Sequence, residues 1–181
     1  MYVNQYMVRK EMSPDLRMKI RRYLDYKSEY KKDNKIEEND LEEWLNERLR
    51  DKITMILRGK IIDRISFVQG FGIDFKGDIS THFHRATYVS DDFIFMEKDK
   101  AECLYYITQG KVAMLHKQSH TFIKDLHGNT YFGELGIIND QPRCLSAKSR
   151  DFTEIFILYK NDFIEISEKY VTSIRAVDKI K

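Results

Sequence analysis

The sequence has few of the residues that interrupt or cross-link a polypeptide chain. Its 181 residues include two prolines and eight glycines, which argues against long flexible linkers. The two cysteines, Cys103 and Cys144, lie in different segments. They provide neither a disulfide framework nor the spacing of a zinc site, and they suit a reducing, cytosolic environment. No apolar run reaches the roughly 18 residues that a membrane span requires, and the first residues lack the pattern of a signal peptide.

The sequence also lacks an excess of charge of one sign. It has 31 basic and 29 acidic residues, a net charge of +2, so its overall charge does not favour nucleic acid or an anionic bilayer. It contains no Walker-type glycine loop and no nucleophile elbow with a catalytic triad, so we expect no enzymatic activity. His82 and His84 are close in sequence, but no further ligands accompany them, and we expect no metal site.

The first third of the chain has the periodicity of amphipathic helices. Ser13 is a candidate N-cap, with Pro14 at the first helical position. A longer helix is predicted to begin at Asn46 and another to cover Ile73–His82. The apolar positions of the longer helix recur at helical spacing, at Leu49, Ile53, Ile56, Leu57 and Ile61.

From about Arg85 the apolar pattern changes to a period of two. The predicted strands are Ala86–Val89, Phe93–Met96, Leu104–Thr108, Val112–His116, Thr121–Leu126, Cys144–Lys148 and Thr153–Tyr159. Asn161 is predicted to be the N-cap of a final helix. The order of elements predicts an α+β fold, in which an N-terminal helical linker precedes an antiparallel, jelly-roll-like β-roll with flanking helices.

The stretch 131–147 has residue types that suit a nucleotide. Gly133 permits close approach of the backbone, and a short helical turn is predicted over 134–138, where free amides would attract an anion. Glu134 brings a carboxylate that can accept hydrogen bonds from sugar hydroxyls. Arg143 brings a planar fork that suits phosphate. The residues therefore predict a cradle for a sugar and a phosphate; the alternative is an ordinary turn with a surface arginine.

This stretch resembles the phosphate-binding cassette of cyclic-nucleotide-binding domains. The matching residues are Phe132, Gly133, Glu134, Leu135, Arg143 and Ser146. The resemblance implies that Glu134 accepts a hydrogen bond from the ribose 2′-hydroxyl and that Arg143 faces the cyclic phosphate. It also implies further backbone contacts from Gly133, Leu135 and Leu145.

The resemblance extends to the wall that holds the base. Met114 and Leu126 match positions whose apolar side chains pack on the purine, although packing in the core is an equally good role. Cys144 stands where members that prefer cGMP often carry threonine. The full set of predicted ligand-binding residues is Gly133, Glu134, Leu135, Arg143, Cys144, Leu145, Met114, Leu126 and Phe132.

Other segments resemble cation channels that cyclic nucleotides regulate. Gln5–Met7, Met12–Ile20 and Leu49–Ile53 resemble the helical C-linker of cyclic-nucleotide-regulated and voltage-gated cation channels. Leu104–Val112 resembles a strand pair of the binding domain. Taken together, the resemblance is greatest to the hyperpolarisation-activated, cyclic-nucleotide-modulated type.

The resemblance implies a helical C-linker over residues 1–70 and a cyclic-nucleotide-binding β-roll over 71–181, with a truncated C-terminal lid helix. It implies the regulatory region of a larger potassium or mixed-cation channel, on the cytoplasmic side of a membrane and with its pore domain upstream. Such regions assemble as homo-tetramers through the linker helices, bind cAMP or cGMP as ligand, and couple binding to pore gating. The resemblance favours cAMP over cGMP, and no nucleic-acid partner is expected.

Departures from the family pattern keep other hypotheses open. Relatives carry Glu-Gly-x-x-Gly before the third strand, whereas Glu97–Ala101 has Lys98 and Ala101 in place of the two glycines. Leu145 stands where a small alanine is usual and adds bulk beside the phosphate position. The alternative is a homology domain that binds no ligand and serves channel assembly or gating. A regulatory subunit of a soluble cyclic-nucleotide-responsive protein is a third hypothesis.

Overall fold

The computed structural model describes residues 2–32, 44–116, 121–139 and 141–170. The chain divides into two compact units, Met1–Asp40 and Leu41–Lys181, which we describe separately. The predicted truncated lid helix lies outside the described residues. No helix in the described ranges is long and apolar enough to cross a membrane.

The first unit contains two helices, α1 (Tyr2–Arg9) and α2 (Pro14–Lys32). Pro14 begins α2 as predicted, and the hydroxyl of Ser13 accepts a hydrogen bond of 3.3 Å from the amide of Leu16. A hydrogen bond of 2.8 Å from Arg21 Nε to Asn4 Oδ1 joins the two helices. The predicted N-terminal helical segment is therefore present.

The second unit opens with α3 (Glu47–Ile62), a 3₁₀ turn (Ser66–Val68) and α4 (Ile73–Thr81). Asn46 is the N-cap of α3, because its side-chain oxygen accepts a hydrogen bond of 3.0 Å from the amide of Leu49. Both helices lie where the periodicity predicted them.

The rest of the second unit is a roll of short strands with two further helices. The strands are β1 (His84–Tyr88), β2 (Phe93–Phe95), β3 (Cys103–Gln109), β4 (Lys111–His116), β5 (Thr121–His127), β6 (Thr130–Phe132), β7 (Ser146–Ser149) and β8 (Thr153–Tyr159). The helices are α5 (Leu135–Ile138) and α6 (Lys160–Lys169). Within the described residues the strands form two four-stranded antiparallel sheets, ordered β1-β8-β3-β6 and β2-β7-β4-β5. The α+β β-roll is confirmed.

Two apolar clusters hold the second unit together. The first joins the helices to the outer face of the β1-β8-β3-β6 sheet, and Phe71 and Phe75 stack within it with ring centroids 4.2 Å apart. The second fills the space between the sheets and contains Phe95, Tyr105, Ile107, Val112, Met114, Leu126, Phe132, Ala147, Ile155 and Ile157. We call this second group the inner cluster. Alternate residues of β3 enter different clusters, which explains its nearly continuous apolar sequence.

Sequence analysis did not predict strand β6. β6 (Thr130–Phe132) has three residues and follows directly on a turn, so it lacks the length that a period of two needs to be visible. Its pairing to β3, with Tyr105 opposite Phe132, is what identifies it. The last helix begins at Lys160 with Tyr159 as its N-cap, so the prediction of Asn161 as N-cap is wrong: Asn161 lies within the first turn.

Candidate functional site

A cavity of about 300 Å³ opens beside the inner cluster, next to α5 and the segment that leads into β7. Its lining includes all the predicted ligand-binding residues: Gly133, Glu134, Leu135, Arg143, Cys144, Leu145, Met114, Leu126 and Phe132. The structure therefore brings together residues that are up to 31 positions apart, from Met114 to Leu145. A volume of this size lies at the lower end of the range for small-molecule sites, roughly 300–1,000 Å³.

Arg143 is a buried residue of this cavity, with 7% of its surface exposed. Its Nη2 donates a hydrogen bond of 2.7 Å to the carbonyl of Cys103, and its Nη1 donates one of 3.1 Å to the carbonyl of Gly133. The guanidinium carbon lies 4.3 Å from the ring centre of Phe95 and 5.3 Å from that of Tyr105. The alternative of a surface arginine is therefore wrong.

The guanidinium of Arg143 retains unused donors. A guanidinium has five N–H groups, and the two carbonyls occupy two of them. Nε is buried without a hydrogen-bond partner, and no described carboxylate forms an ion pair with Arg143. A buried cation with an unsatisfied N–H is costly unless an anion or another acceptor completes it.

The backbone of Arg143 is fixed by the loop between β2 and β3. The amide of Lys98 donates a hydrogen bond of 2.8 Å to the carbonyl of Arg143, and the amide of Arg143 donates one of 2.8 Å to the carbonyl of Asp99. Lys98 has φ of 74°, the left-handed region that glycine occupies at little cost. The loop therefore keeps a glycine-like conformation although a lysine has replaced the glycine of the family pattern.

Gly133 allows the guanidinium of Arg143 to lie close to the backbone of the turn before α5. Its φ is 78°, and a Cβ at this position would lie 2.7 Å from Nη1 of Arg143. Glycine is thus required both for the backbone conformation and for the space beside the guanidinium.

Glu134 precedes α5 and faces the same cavity. Its side chain makes no capping hydrogen bond, and the carboxylate forms no ion pair or hydrogen bond with any described residue. The site therefore presents an uncommitted carboxylate and a buried cation with a free N–H on one cavity. This combination can accept hydrogen bonds from hydroxyls and donate hydrogen bonds to an anion.

The predicted apolar residues divide between wall and rim. Met114, Leu126 and Phe132 are buried members of the inner cluster, and the ring of Phe132 stacks on Tyr105 with centroids 5.1 Å apart. Leu145 packs partly buried against that cluster, and the cavity remains open beside it.

The other two predicted residues, Leu135 and Cys144, are exposed at the rim of the cavity. Gly136, next to Leu135, packs closely on Ala101: a Cβ there would lie 2.8 Å from the carbonyl oxygen of Ala101. α5 is therefore seated directly on the loop that precedes β3.

Phe95, Tyr105 and Lys124 are among the residues of the site that sequence reasoning missed. Phe95 and Tyr105 form the aromatic surface under the guanidinium, and nothing in the pattern of a strand distinguishes such a surface from ordinary core. Lys124 also lines the cavity. The sequence did contain a signal for this residue. Lys124 lies two residues before the buried Leu126 on the same strand, and side chains two residues apart share one face of a strand.

Burial changes the acidity of two side chains behind the arginine. It raises the pKa of the Cys103 thiol above its ordinary value, with partial compensation from the hydrogen bond to Tyr105 and from the charge of Arg143. Burial likewise raises the pKa of the Tyr105 hydroxyl. Both groups are therefore neutral at physiological pH, and Arg143 is the charged group at this end of the cavity.

Comparison with known proteins gives a family match over the strand-rich part of the chain. The family model described as the cyclic nucleotide-binding domain matches residues 85–170. This segment begins in β1, ends after α6 and contains every residue predicted to contact a ligand.

Whole-chain relatives are channel proteins. The chain is 22% identical to cyclic nucleotide-gated channel alpha-3 of Homo sapiens over 183 residues, which cover 98% of this chain and 26% of that protein. It is 25% identical to the potassium/sodium hyperpolarization-activated cyclic nucleotide-gated channel 1 of Oryctolagus cuniculus over 178 residues, which cover 98% of this chain and 20% of that protein. The chain thus spans about a quarter or less of the length of these relatives.

Proposed function

We propose that the cavity beside Arg143 binds a 3′,5′-cyclic nucleotide, because residues 85–170 match the family model of the cyclic nucleotide-binding domain. The observation that carries the proposal is the pair of uncommitted groups on one cavity. Arg143 has a buried Nε without a partner, and the carboxylate of Glu134 has no partner among the described residues.

The cyclic phosphate is the part of the ligand that Arg143 would bind. Its free N–H groups can hold phosphate oxygens while Nη1 and Nη2 keep their bonds to Gly133 and Cys103, so binding needs no rearrangement of the arginine. Bound phosphate would neutralise the buried charge. The side chain is already restrained, which lowers the entropic cost of binding.

The ribose is the part that Glu134 would bind. An ionised carboxylate only accepts hydrogen bonds, and the 2′-hydroxyl of a cyclic nucleotide is a free donor. Because the cyclic phosphate consumes the 3′- and 5′-hydroxyls, the 2′-hydroxyl is the one hydroxyl left for this contact.

The base would then lie against the wall formed by β4 and β5. Met114 and Leu126 supply apolar surface there, and each is 8% exposed. Covering that remaining surface with a purine ring removes apolar area from water and adds to affinity.

The channel relatives support a regulatory role for the whole chain. We propose that it is the cytoplasmic regulatory region of a potassium or mixed-cation channel, with a C-linker over 1–70 and the binding domain over 71–181. In this proposal the linker helices assemble a homo-tetramer below an upstream pore domain. Binding of cAMP, the nucleotide that the family resemblance favours, would be coupled to gating by a free energy of about 1–3 kcal/mol.

A thermal-shift titration tests the binding proposal. A ligand that binds only the folded chain raises the melting temperature with concentration, by an amount equivalent to about 2.7 kcal/mol at a hundred times its dissociation constant. We expect cAMP or cGMP to produce such a shift and 5′-AMP, which has no cyclic phosphate, to produce a much smaller one.

The second candidate is a homology domain that binds no ligand and serves assembly or gating. The observation that favours it is the commitment of both terminal nitrogens of Arg143 to backbone carbonyls, which stabilises the site without a ligand. The same titration decides between the candidates, since the absence of a shift with both cyclic nucleotides at millimolar concentration would favour this one.

A further inference from the structure

A groove of about 830 Å³ lies between α3 and α4, and it shares no lining residue with the cavity beside Arg143. Its apolar lining includes Met55 and Ile56 from α3 and Ile73 from α4. Ile56 is 63% exposed and Ile73 is 85% exposed, so both lie outside the core of the second unit. Single exposed apolar residues are common on protein surfaces, but several on one concave surface are typical of a site that another segment covers.

Two helical glycines add space to this groove. Gly59 lies in α3 and Gly77 in α4, and both line the groove. A Cβ at Gly59 would meet no described atom within 4 Å, and one at Gly77 would meet the terminal methyl of Met55 at 3.8 Å. Glycine in the interior of a helix costs about 0.5–1 kcal/mol relative to alanine. The two glycines therefore leave room in which the backbone of a third element can lie close to both helices.

The polar lining of the groove is mainly acidic. It contains Asp63, Asp74, Asp78 and Lys76, a formal net charge of −2. Lys76 Nζ lies 2.8 Å from Asp63 Oδ1, so one aspartate is paired within the groove. Another aspartate, Asp78, accepts a hydrogen bond of 2.8 Å from the hydroxyl of Tyr170. The charge of the lining favours an occupant with an excess of basic side chains.

Tyr170 brings the end of the described chain to the wall of the groove. Its ring meets Phe75 edge-on, with centroids 5.5 Å apart, and residues 171–181 follow it directly in the sequence. Ile174 and Val177 lie four and seven residues after Tyr170, the spacing of an apolar stripe on a helix. Residues 171–181 contain three basic residues and one acidic residue, a formal net charge of +2. As a helix these 11 residues would be about 16 Å long, close to the length of α4, which has nine residues.

We propose that residues 171–181 dock as an amphipathic helix in the groove between α3 and α4. In this arrangement Ile174 and Val177 cover the exposed apolar side chains of the groove, and the basic residues lie near its aspartates. The contact joins α3, which belongs to the predicted linker, to the helices that flank the β-roll. The inference does not depend on nucleotide binding. Two other positions for the same residues would be a lid over the cavity beside Arg143, which the family resemblance implies, and the groove of a second copy of the chain.

Photo-crosslinking of the full chain, without nucleotide, separates these positions. Benzoylphenylalanine replaces Ile56 in the groove, Leu57 as a matched control, or Leu135 at the rim of the cavity beside Arg143. Leu57 is also an exposed apolar residue of α3, but it does not line the groove. We expect the probe at 56 to crosslink residues 171–181 of the same chain at least about fivefold more than either other probe, because the yield follows the population of the docked state.

Mass spectrometry of the crosslinked peptides identifies the residues that each probe contacts, and gel electrophoresis separates crosslinks within a chain from those between chains. Crosslinks to residues 171–181 mainly from the probe at 135 would show a lid over the cavity. Covalent dimers from the probe at 56 would show that a second copy occupies the groove. Either result, or no crosslink from the probe at 56 to residues 171–181, would overturn the inference.

Amide hydrogen exchange gives a second test that needs no probe. Gly59→Leu fills the groove, and it should preserve α3 because leucine favours a helix more than glycine does. Lys60→Leu is the matched control, since Lys60 is exposed on the same helix and does not line the groove. The inference predicts that Gly59→Leu speeds amide exchange in residues 171–181 by at least about tenfold and that Lys60→Leu does not. Equal exchange rates in wild-type chain and both variants would overturn it.

Discussion

The Nη1 atom of Arg143 donates a hydrogen bond of 3.1 Å to the carbonyl of Gly133, a glycine whose absent side chain makes room for that same guanidinium. The bond ties the segment before β7 to the turn before α5. Together with the bond from Nη2 to Cys103, it holds the cation in the wall of the cavity before any ligand is present. The site is thus preorganised, and its central cation is also a structural residue.

Replacing Arg143 by lysine separates charge from geometry. We expect Arg143→Lys to weaken cyclic-nucleotide binding by about tenfold or more, because lysine cannot bond both carbonyls and the phosphate with one planar fork. Loss of buried hydrogen bonds should also lower the free energy of unfolding by about 1–3 kcal/mol. Calorimetry and urea denaturation measure the two effects.

Arg150→Lys is the matched control for that substitution. Arg150 also lies over an aromatic ring, at 5.1 Å from Phe122, and bonds Asp125 at 3.2 Å, but it does not line the cavity. Its replacement should leave nucleotide affinity unchanged. Equal affinities for Arg143→Lys and wild-type chain would show that the arginine does not hold the phosphate.

Glu134→Gln tests the ribose contact. The amide keeps the shape of the side chain and removes the charge that strengthens the bond to a hydroxyl, so the affinity for cAMP should fall by about fivefold or more. The same substitution should not affect 2′-deoxy-cAMP, which lacks the hydroxyl. A comparable loss with both ligands would contradict a contact between Glu134 and the 2′-oxygen.

Lys98→Gly is expected to stabilise the fold. Lys98 has φ of 74°, which costs a residue with a Cβ about 1–2 kcal/mol, while glycine adds about 0.5–1 kcal/mol of entropy cost on folding. The net gain should be about 0.5–1 kcal/mol, or a rise of roughly 1–4 °C in melting temperature. Calorimetric melting of the variant measures it.

The control for Lys98→Gly is Lys100→Gly in the same loop. Lys100 has no positive φ and forms an ion pair with Glu102, so glycine there should destabilise the fold. A fall in melting temperature for Lys98→Gly as well would show that the loop does not need a glycine-like residue at 98.

The two cysteines should react with thiol reagents at different rates. The thiolate is the reactive form, and a pKa raised by burial leaves Cys103 with less thiolate at any pH below that pKa. We therefore expect iodoacetamide at pH 8 to label the exposed Cys144 first, and labelling of Cys103 to increase only as the pH rises above the ordinary thiol range near 8.5. Mass spectrometry of peptides from each labelling time gives the two rates.

Cyclic nucleotide should slow the labelling of Cys144, because this residue lines the cavity. The single variant Cys144→Ser isolates the slow reaction of Cys103. Labelling of Cys103 as fast as that of Cys144 would contradict the effect of burial, and unchanged labelling of Cys144 with saturating ligand would place the ligand elsewhere.

Most of the fold was predictable because its signals are local. The cap Ser13, the start of a helix near Asn46 and the period of two after Arg85 depend only on neighbouring residues. Strand β6 was missed because three residues are too few for a period, and its identity comes from pairing with β3, which is distant in sequence.

The candidate site was predictable in composition but not in its internal contacts. The motif around Glu134 and Arg143 identified the residues that line the cavity. It did not show that Arg143 is buried on Phe95 and bonded to Cys103, because those contacts come from other strands. Lys124 was missed because a lysine on a strand ordinarily faces solvent, although its spacing of two residues from Leu126 places it on the same face of the strand.

Isothermal titration calorimetry of wild-type chain with cAMP and with cGMP tests the central claim most directly. The account predicts saturable binding of at least one of them, at one site per chain, with a dissociation constant below about 1 mM. It predicts that 5′-AMP and 5′-GMP bind much more weakly, because they lack the cyclic phosphate. Absence of saturable heat with both cyclic nucleotides, on chain that unfolds cooperatively, would contradict it.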